Sequence, residues 1–248
     1  MKIKFYTLAN PDEFRSAVIL NYLYKNQSSY IDLNVNFFSS KLKVFKHFIF
    51  FRNKNPEDIN VVMYPSHILV FYLWLTGHKK IVLDAGWPLS DGEISSRNKK
   101  GFLNSRELKF YLLDKFASLL SRIIILESEN QRRYFVDKFK VKPEKCKVLY
   151  TGLDESKFIV HEVKSFKTPT VTFRGKYNPE AGLEVLADAS ILLEKENFNI
   201  HVYCPNMPDN LVFSNKTKIF KDFINKQEIA RILLASDLTL GQLQSHER

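Results

Sequence analysis

The residues best suited to chemistry lie in one short stretch, residues 173–184, which reads FRGKYNPEAGLE. An apolar strand leads into a basic-glycine-basic turn made of Arg174, Gly175 and Lys176, and the Asn-Pro pair that follows is typical of a helix start. Glycine lets the backbone turn tightly and lets a ligand approach it closely. A helix start directs free N–H groups and a positive dipole to one point. With the cation of Lys176 added, the stretch predicts a phosphate or diphosphate site.

The same turn has a simpler interpretation. Strand-to-helix turns with a glycine and a basic residue occur in many α/β proteins that bind no ligand there, so the spacing alone leaves both interpretations open. Arg174 stands before the glycine, and it either joins Lys176 at the ligand or points away from the turn.

Composition excludes several classes of function. The chain has 248 residues, 45% hydrophobic and 26% charged, which is typical of one large globular domain or two smaller ones. Cys146 and Cys204 are far apart, without a CxxC or a His/Cys cluster, so they predict thiols in a reducing compartment and no metal site. No apolar run approaches the ~18 to 20 residues of a membrane span, and the first residues do not resemble a signal peptide. We therefore expect a cytoplasmic protein.

The charge balance is strongly basic. The net charge is +10 and 14% of the residues are aromatic, a combination that attracts nucleic acid, anionic lipid or an acidic substrate. The lysines and arginines form only modest clusters, and no zinc finger, RNP-type motif or basic helix is present. We therefore expect no binding to nucleic acid, whereas peripheral contact with an anionic membrane remains open.

Alternating strands and helices must position the basic-glycine-basic turn. Strands are predicted at 2–7, 31–38, 61–64, 80–83, 122–127, 147–151, 171–173, 200–203, 218–220 and 238–243. Helices are predicted at 12–26, 66–76, 105–121, 128–139, 179–197 and 226–235. This order predicts an α/β protein of two doubly wound, Rossmann-like domains whose parallel sheets face a cleft: residues 1–155, a linker at 156–169, and residues 170–248.

Ligands of such folds bind outside the carboxyl ends of the strands. Asp84 ends a predicted strand, so its side chain either contacts a substrate or caps a loop. His67 begins a predicted helix, and we interpret it as a surface or capping residue.

Several segments together resemble glycosyltransferase family 4, whose members have the GT-B fold. Residues 147–158 (KVLYTGLDESKF) look like the end of that family's first domain, and residues 125–129 (ILESE) like its strand ending in Ser-Glu. FRGKYNPEAGLE resembles the opening of its donor-binding domain, and residues 235–237 a short element before a later strand. The resemblance implies a retaining transfer of a hexosyl unit from a nucleoside diphosphate sugar, the donor substrate, to a glycan or lipid-linked acceptor. It implies surface polysaccharide synthesis at the inner membrane face, with neither cofactor nor metal.

The resemblance also implies roles for individual residues. In the family the residue after the turn glycine holds the diphosphate, and here it is Lys176, with Gly175 and Arg174 beside it. A family lysine that also contacts phosphate is replaced by Ala181. Asp84 matches a position near the transferred sugar.

The end of the chain departs further from the family. The family carries two glutamates seven residues apart that contact the donor. Glu247 matches the first, as a donor-sugar contact or a solvated tail residue, and Arg248 beside it is another candidate for donor binding. The second glutamate has no counterpart. We therefore expect an incomplete second domain in a truncated transferase that is poorly stable and weakly active or inactive. A nucleotide-sugar epimerase of the same fold and a non-catalytic remnant are the alternatives.

Overall fold

The computed structural model describes the chain apart from a set of short segments. These are residues 1, 12–13, 27–31, 41–42, 45, 48–54, 56, 91–104, 153–162, 179–180, 242 and 244–248. The chain divides into two compact units, the first within Met1–Glu93 and Gly101–Leu153 and the second within Asp154–Arg248. The predicted boundary at residue 155 and the first half of the predicted linker lie outside the described residues.

The first unit is built on a six-stranded sheet. Its strands are β1 (Lys2–Thr7), β2 (Asp32–Phe37), β3 (Ile59–Val62), β4 (Ile81–Gly86), β5 (Ile123–Leu126) and β6 (Cys146–Val148). Its helices are α1 (Phe14–Lys25), α2 (Ile68–Leu75), α3 (Ser105–Leu120) and α4 (Glu129–Phe139). All strands are parallel, in the order β2-β1-β3-β4-β5-β6, so the order reverses between β1 and β3.

Two apolar clusters cover the two faces of this sheet. Helix α1 packs on one face, where Leu20 joins Phe5 and Met63. Helices α2, α3 and α4 pack on the other face, in a cluster that contains Leu69 and Phe135. This division follows from right-handed crossovers, because α1 leads to the opposite side of β1 from the other three helices.

The second unit has a smaller sheet of the same kind. Its strands are β7 (Thr170–Arg174), β8 (Asn199–Tyr203), β9 (Thr217–Phe220) and β10 (Leu238–Leu240), and its helices are α5 (Leu183–Leu192) and α6 (Lys226–Ala235). The strands are parallel in the order β10-β7-β8-β9. Phe173, Leu183 and Val202 form its core. The predicted α/β class with two parallel sheets is therefore confirmed.

Side-chain caps account for the starts of two helices, α4 and α6. Ser128 Oγ accepts the N–H of Gln131 at the start of α4, at 3.3 Å, and Asn225 accepts the N–H of Glu228 at the start of α6, at 2.9 Å. Both helices begin where the sequence predicts them.

The predicted helix at residues 179–197 is wrong at both ends. Asn178 accepts the N–H of Ala181 at 2.7 Å and so makes a turn of its own before any helix starts. Gly182 then adopts a left-handed conformation with φ of 64°, and α5 begins only at the next residue. The connection between β7 and α5 is therefore a longer loop than the sequence predicts.

Candidate functional site

A cavity of about 480 Å³ opens at the carboxyl ends of β7, β8 and β9 in the second unit. Its volume is in the range of small-molecule sites, and its position at the carboxyl edge of a parallel sheet is the usual one for ligands of doubly wound folds. The lining residues are Arg174, Gly175, Lys176, Tyr203, Pro205, Asn206, Asp222, Phe223, Ile224 and Ile229.

Two cations of the cavity have no side-chain partner among the described residues. Arg174 and Lys176 are exposed, and neither side chain makes a hydrogen bond or an ion pair within that part of the chain. Lys221 in the same unit differs, since its ammonium group is paired with Asp209. Because Asp222 is the only acidic residue that lines the cavity in the described part of the chain, the two cations give this site a positive balance.

The glycine between the two cations is required by packing. A Cβ atom at Gly175 would lie 2.9 Å from Cζ of the buried Phe173 ring, closer than real Cβ contacts come. The Gly175 N–H donates to the carbonyl of Tyr203 at 3.1 Å. That N–H therefore ties the turn to β8 and is not free for a ligand.

Asn206 fixes the loop that carries Lys176. Its side-chain oxygen accepts the N–H of Tyr177 at 2.9 Å, and its amide nitrogen donates to the Tyr177 carbonyl at 3.1 Å. The Tyr177 hydroxyl in turn donates to Glu184 Oε1 at 2.6 Å, which links the loop to α5. The sequence places Asn206 just after a strand, yet no local signal reveals this clamp, since its two partners are 29 residues away.

Apolar and aromatic groups form the rest of the cavity wall. The ring of Tyr203 stacks on Phe220, with centroids 4.3 Å apart, and Phe223 projects into solvent with 88% of its surface exposed. Ile224 and Ile229 add aliphatic surface. The cavity therefore combines cations suited to phosphate with flat apolar surface suited to a base or a sugar ring.

The carboxyl edge of the first sheet holds a buried ion pair. Asp84, at the end of β4, accepts two hydrogen bonds from Arg15 Nε, at 3.0 and 3.2 Å. Arg15 Nη1 donates to Thr151 Oγ1 at 3.1 Å, whereas its buried Nη2 has no hydrogen-bond partner. Burial raises the pKa of the Asp84 carboxyl, and the Arg15 guanidinium opposes that rise. The predicted contact between Asp84 and a sugar stays a prediction, and the carboxylate already has a partner within the protein.

A second buried pair lies between α2 and α3. His67 Nε2 is 3.7 Å from Asp114 Oδ1, and neither side chain reaches solvent. Asp114 accepts the N–H groups of Leu89 and Ser90, at 3.2 and 2.9 Å, and the Ser90 hydroxyl at 2.9 Å. Burial lowers the pKa of His67 to about 4 and raises the pKa of Asp114 to about 6. The interpretation of His67 as a surface residue is wrong, because its side chain is fully buried. His67 does occupy the N-cap position of α2, but its side chain makes no capping hydrogen bond.

Two further predicted site residues, Glu247 and Arg248, are outside the described residues. Ala181 is buried beside α5. Within the described residues, no three His, Cys, Asp or Glu side chains approach one another as a metal site requires. None of the described helices has the length and hydrophobicity that crossing a bilayer requires.

No protein-family model and no curated protein matches this sequence. Solved structures share its fold. HepE from Anabaena, in complex with UDP, matches with a TM-score of 0.58 and 14% identity over 96% of this chain and 73% of that one. OtsA without ligand matches with a TM-score of 0.63 and 11% identity over 96% and 77% of the two chains.

An epimerase has a similar fold as well. The UDP-N-acetylglucosamine 2-epimerase from Rickettsia bellii matches with a TM-score of 0.50 and 10% identity over 96% of this chain and 73% of that one. At such identities the likeness shows the fold alone. The Rossmann-like GT-B fold that the sequence predicts is thus confirmed, without assignment to family 4.

Proposed function

We propose that this chain, whose fold is that of the GT-B enzymes, transfers a hexosyl unit with retention from a nucleoside diphosphate sugar to a glycan or lipid-linked acceptor. The observation that carries the proposal is the cavity at the carboxyl edge of the second sheet, in whose wall Arg174 and Lys176 have no side-chain partner among the residues that the structure describes. The UDP bound to HepE, a protein of the same fold, supports a nucleoside diphosphate as the ligand. The reaction belongs to surface polysaccharide synthesis on the cytoplasmic side of a membrane.

The two cations, Arg174 and Lys176, stabilise the diphosphate as the leaving group. When the sugar leaves, negative charge develops on the diphosphate, and fixed positive groups stabilise that charge. Lys176 provides a point charge, and Arg174 provides a planar fork that matches two phosphate oxygens. The clamp of Asn206 on Tyr177 holds the loop of Lys176 in place before the donor binds. The stabilisation therefore requires little rearrangement of this loop.

The other predicted residues enter the proposal in smaller roles. Asp84 acts by holding Arg15 at the carboxyl edge of the first sheet, since its oxygens are occupied by that guanidinium. Glu247 contacts the donor sugar, as the family resemblance implies, and Arg248 beside it adds a donor contact. The proposed reaction uses no metal, because basic side chains neutralise the diphosphate.

Calorimetry with UDP, ADP and GDP tests the donor site. We expect at least one of them to bind, and Lys176→Met to weaken its binding by about 10- to 150-fold, the loss expected when one charge-assisted hydrogen bond disappears. Lys216→Met is the matched control, because Lys216 precedes β9 at the opposite edge of the same sheet and donates to the Glu196 carbonyl. Absence of binding to all three nucleotides, or equal losses in both variants, would overturn the proposal.

An epimerase is the second candidate, favoured by the likeness to the Rickettsia bellii enzyme. An epimerase acts on the donor alone, whereas a transferase needs an acceptor. Product analysis of a nucleotide sugar incubated with and without acceptor glycans separates the two. A non-catalytic remnant, for which the replacement of the family lysine by Ala181 argues, binds the nucleotide without forming either product.

A further inference from the structure

Helix α3 presents four large apolar side chains to solvent, although Tyr111 and Leu120 pack against the core. Asp114, Ala117 and Ser118 are fully buried. The exposed side consists of Leu108, Leu112, Phe116 and Leu119, each between 39% and 48% exposed. Their spacing of four, four and three residues places them on one face, called the α3 stripe below. A helix at the surface of a globular protein normally has the opposite arrangement.

The two helices in the same layer as α3 differ in how much apolar surface they expose. Helix α2 packs against α3 in the same layer and also exposes Trp74 and Leu75. Helix α4, in that layer as well, exposes Glu129, Arg133 and Asp137 and buries its phenylalanines, as an ordinary surface helix does. Exposed apolar surface concentrated on adjacent elements marks a contact surface for another molecule.

The charges around the α3 stripe favour an anionic partner. Lys109 and Lys115 lie on either side of the stripe, one position after Leu108 and one before Phe116. The two acidic residues of α3, Glu107 and Asp114, lie on the other half of the helix. At the end of α2, the Lys79 ammonium lies 5.3 Å from the centre of the Trp74 ring. The stripe thus has cations on both flanks.

From this arrangement we infer that the α3 stripe docks on an anionic membrane surface, with α3 lying in the plane of the headgroups. Leucine and phenylalanine side chains enter the boundary of the acyl chains, while lysine stems extend along it and bring their ammonium groups to lipid phosphates. A second copy of the chain fits less well, because a two-fold contact through the stripe brings the flanking lysines of both copies together. Docking itself does not depend on the proposed function. Only its purpose, which is to bring the enzyme to a lipid-linked acceptor, rests on that proposal.

Vesicle co-sedimentation tests this docking without any need for catalysis. The purified chain is mixed with vesicles of phosphatidylcholine alone or of phosphatidylcholine with phosphatidylglycerol. We expect binding only to the mixed vesicles, and weaker binding at high salt because the lysines act through screened charges. The double variant Leu112→Gln/Phe116→Gln removes apolar surface that is already exposed, and we expect it to bind at least about tenfold more weakly.

The control variant is Leu192→Gln, which changes an exposed leucine at the end of α5 in the second unit and should bind vesicles like the wild type. Circular dichroism and nucleotide calorimetry on each variant separate a lost surface from a lost fold or a failed donor site. Failure of the wild type to bind mixed vesicles, or unchanged binding by the double variant, overturns the inference. A wild-type dimer that the double variant converts to a monomer, without lipid binding, assigns the stripe to a second copy instead and also overturns it.

Discussion

Two charged side chains of the first unit, Asp84 and Asp114, are buried with hydrogen-bond donors from the protein, whereas two cations of the second unit have no partner among the described residues. Arg15 is buried against Asp84, and Asp114 is buried under Leu89 and Ser90. Arg174 and Lys176, by contrast, are exposed in a cavity wall. The difference separates two uses of charge. A buried charge with protein partners holds the fold together, and an exposed charge with none is available to a ligand.

The largest expected effect comes from breaking the buried pair of the first unit. Asp84→Asn leaves the Arg15 guanidinium buried without a counter-ion, so we expect the free energy of unfolding to fall by about 3 to 5 kcal/mol. Urea unfolding measures it. The double variant Arg15→Met/Asp84→Leu replaces both charges by apolar groups and should recover most of the loss. A cost for Asp84→Asn below about 1 kcal/mol would show that the pair is solvated like a surface ion pair.

A second effect concerns pH. The ordinary pKa of His67 is 6.5, and in the folded protein it is about 4. Between pH 6.5 and about 4, His67 is protonated in the unfolded chain and neutral in the folded chain. Its contribution to stability is therefore complete above pH 6.5 and is lost as the pH falls towards 4. We expect the stability of the wild type relative to His67→Gln to fall by up to about 3 kcal/mol over this window.

Urea unfolding of both proteins across this pH range provides the measurement. Asp114 is present in both proteins, so its own titration, which runs in the opposite direction because its pKa is raised to about 6, largely cancels in the difference. Parallel pH profiles for the two proteins would contradict a buried, neutral His67.

The smallest effect tests how tightly the turn between Arg174 and Lys176 packs against the core of the second unit. Gly175→Ala places a methyl group against the Phe173 ring, and we expect it to cost about 1 to 3 kcal/mol of stability. Gly241→Ala is the control, since Gly241 follows β10 at the same edge and a Cβ there meets nothing within 4 Å. Thermal unfolding compares them, and equal shifts in Tm would mean that the turn relaxes around the added methyl.

Local signals in the sequence predict most of the fold. Apolar runs such as β5 and capping residues such as Ser128 act over a few positions, so strands and several helix ends follow directly from them. The start of α5 was missed because Asn178 and Gly182 form a turn that competes with the helix. A cap and a turn of this kind use the same residue types.

The candidate site could be predicted only where its residues are neighbours in the chain. Arg174, Gly175 and Lys176 follow one another, and they do line one cavity. The pair of His67 and Asp114 depends on tertiary packing, and nothing near either residue in the sequence reveals the other. The α3 stripe likewise cannot be recognised from the sequence alone. The apolar periodicity of a helix does not say which of its faces packs against the sheet and which faces solvent.

The distance along the chain between Arg15 and Asp84, 69 residues, limits how this protein can be recombined. Each of the two buried charges is the counter-ion of the other, and Thr151, much later in the sequence, accepts a further hydrogen bond from Arg15. A chimera joined to a homologue within α2 takes Arg15 from one parent and Asp84 from the other. Unless both parents carry the same pair, such a chimera inherits one charge without its match. Joints placed after Thr151 keep all three partners from a single parent.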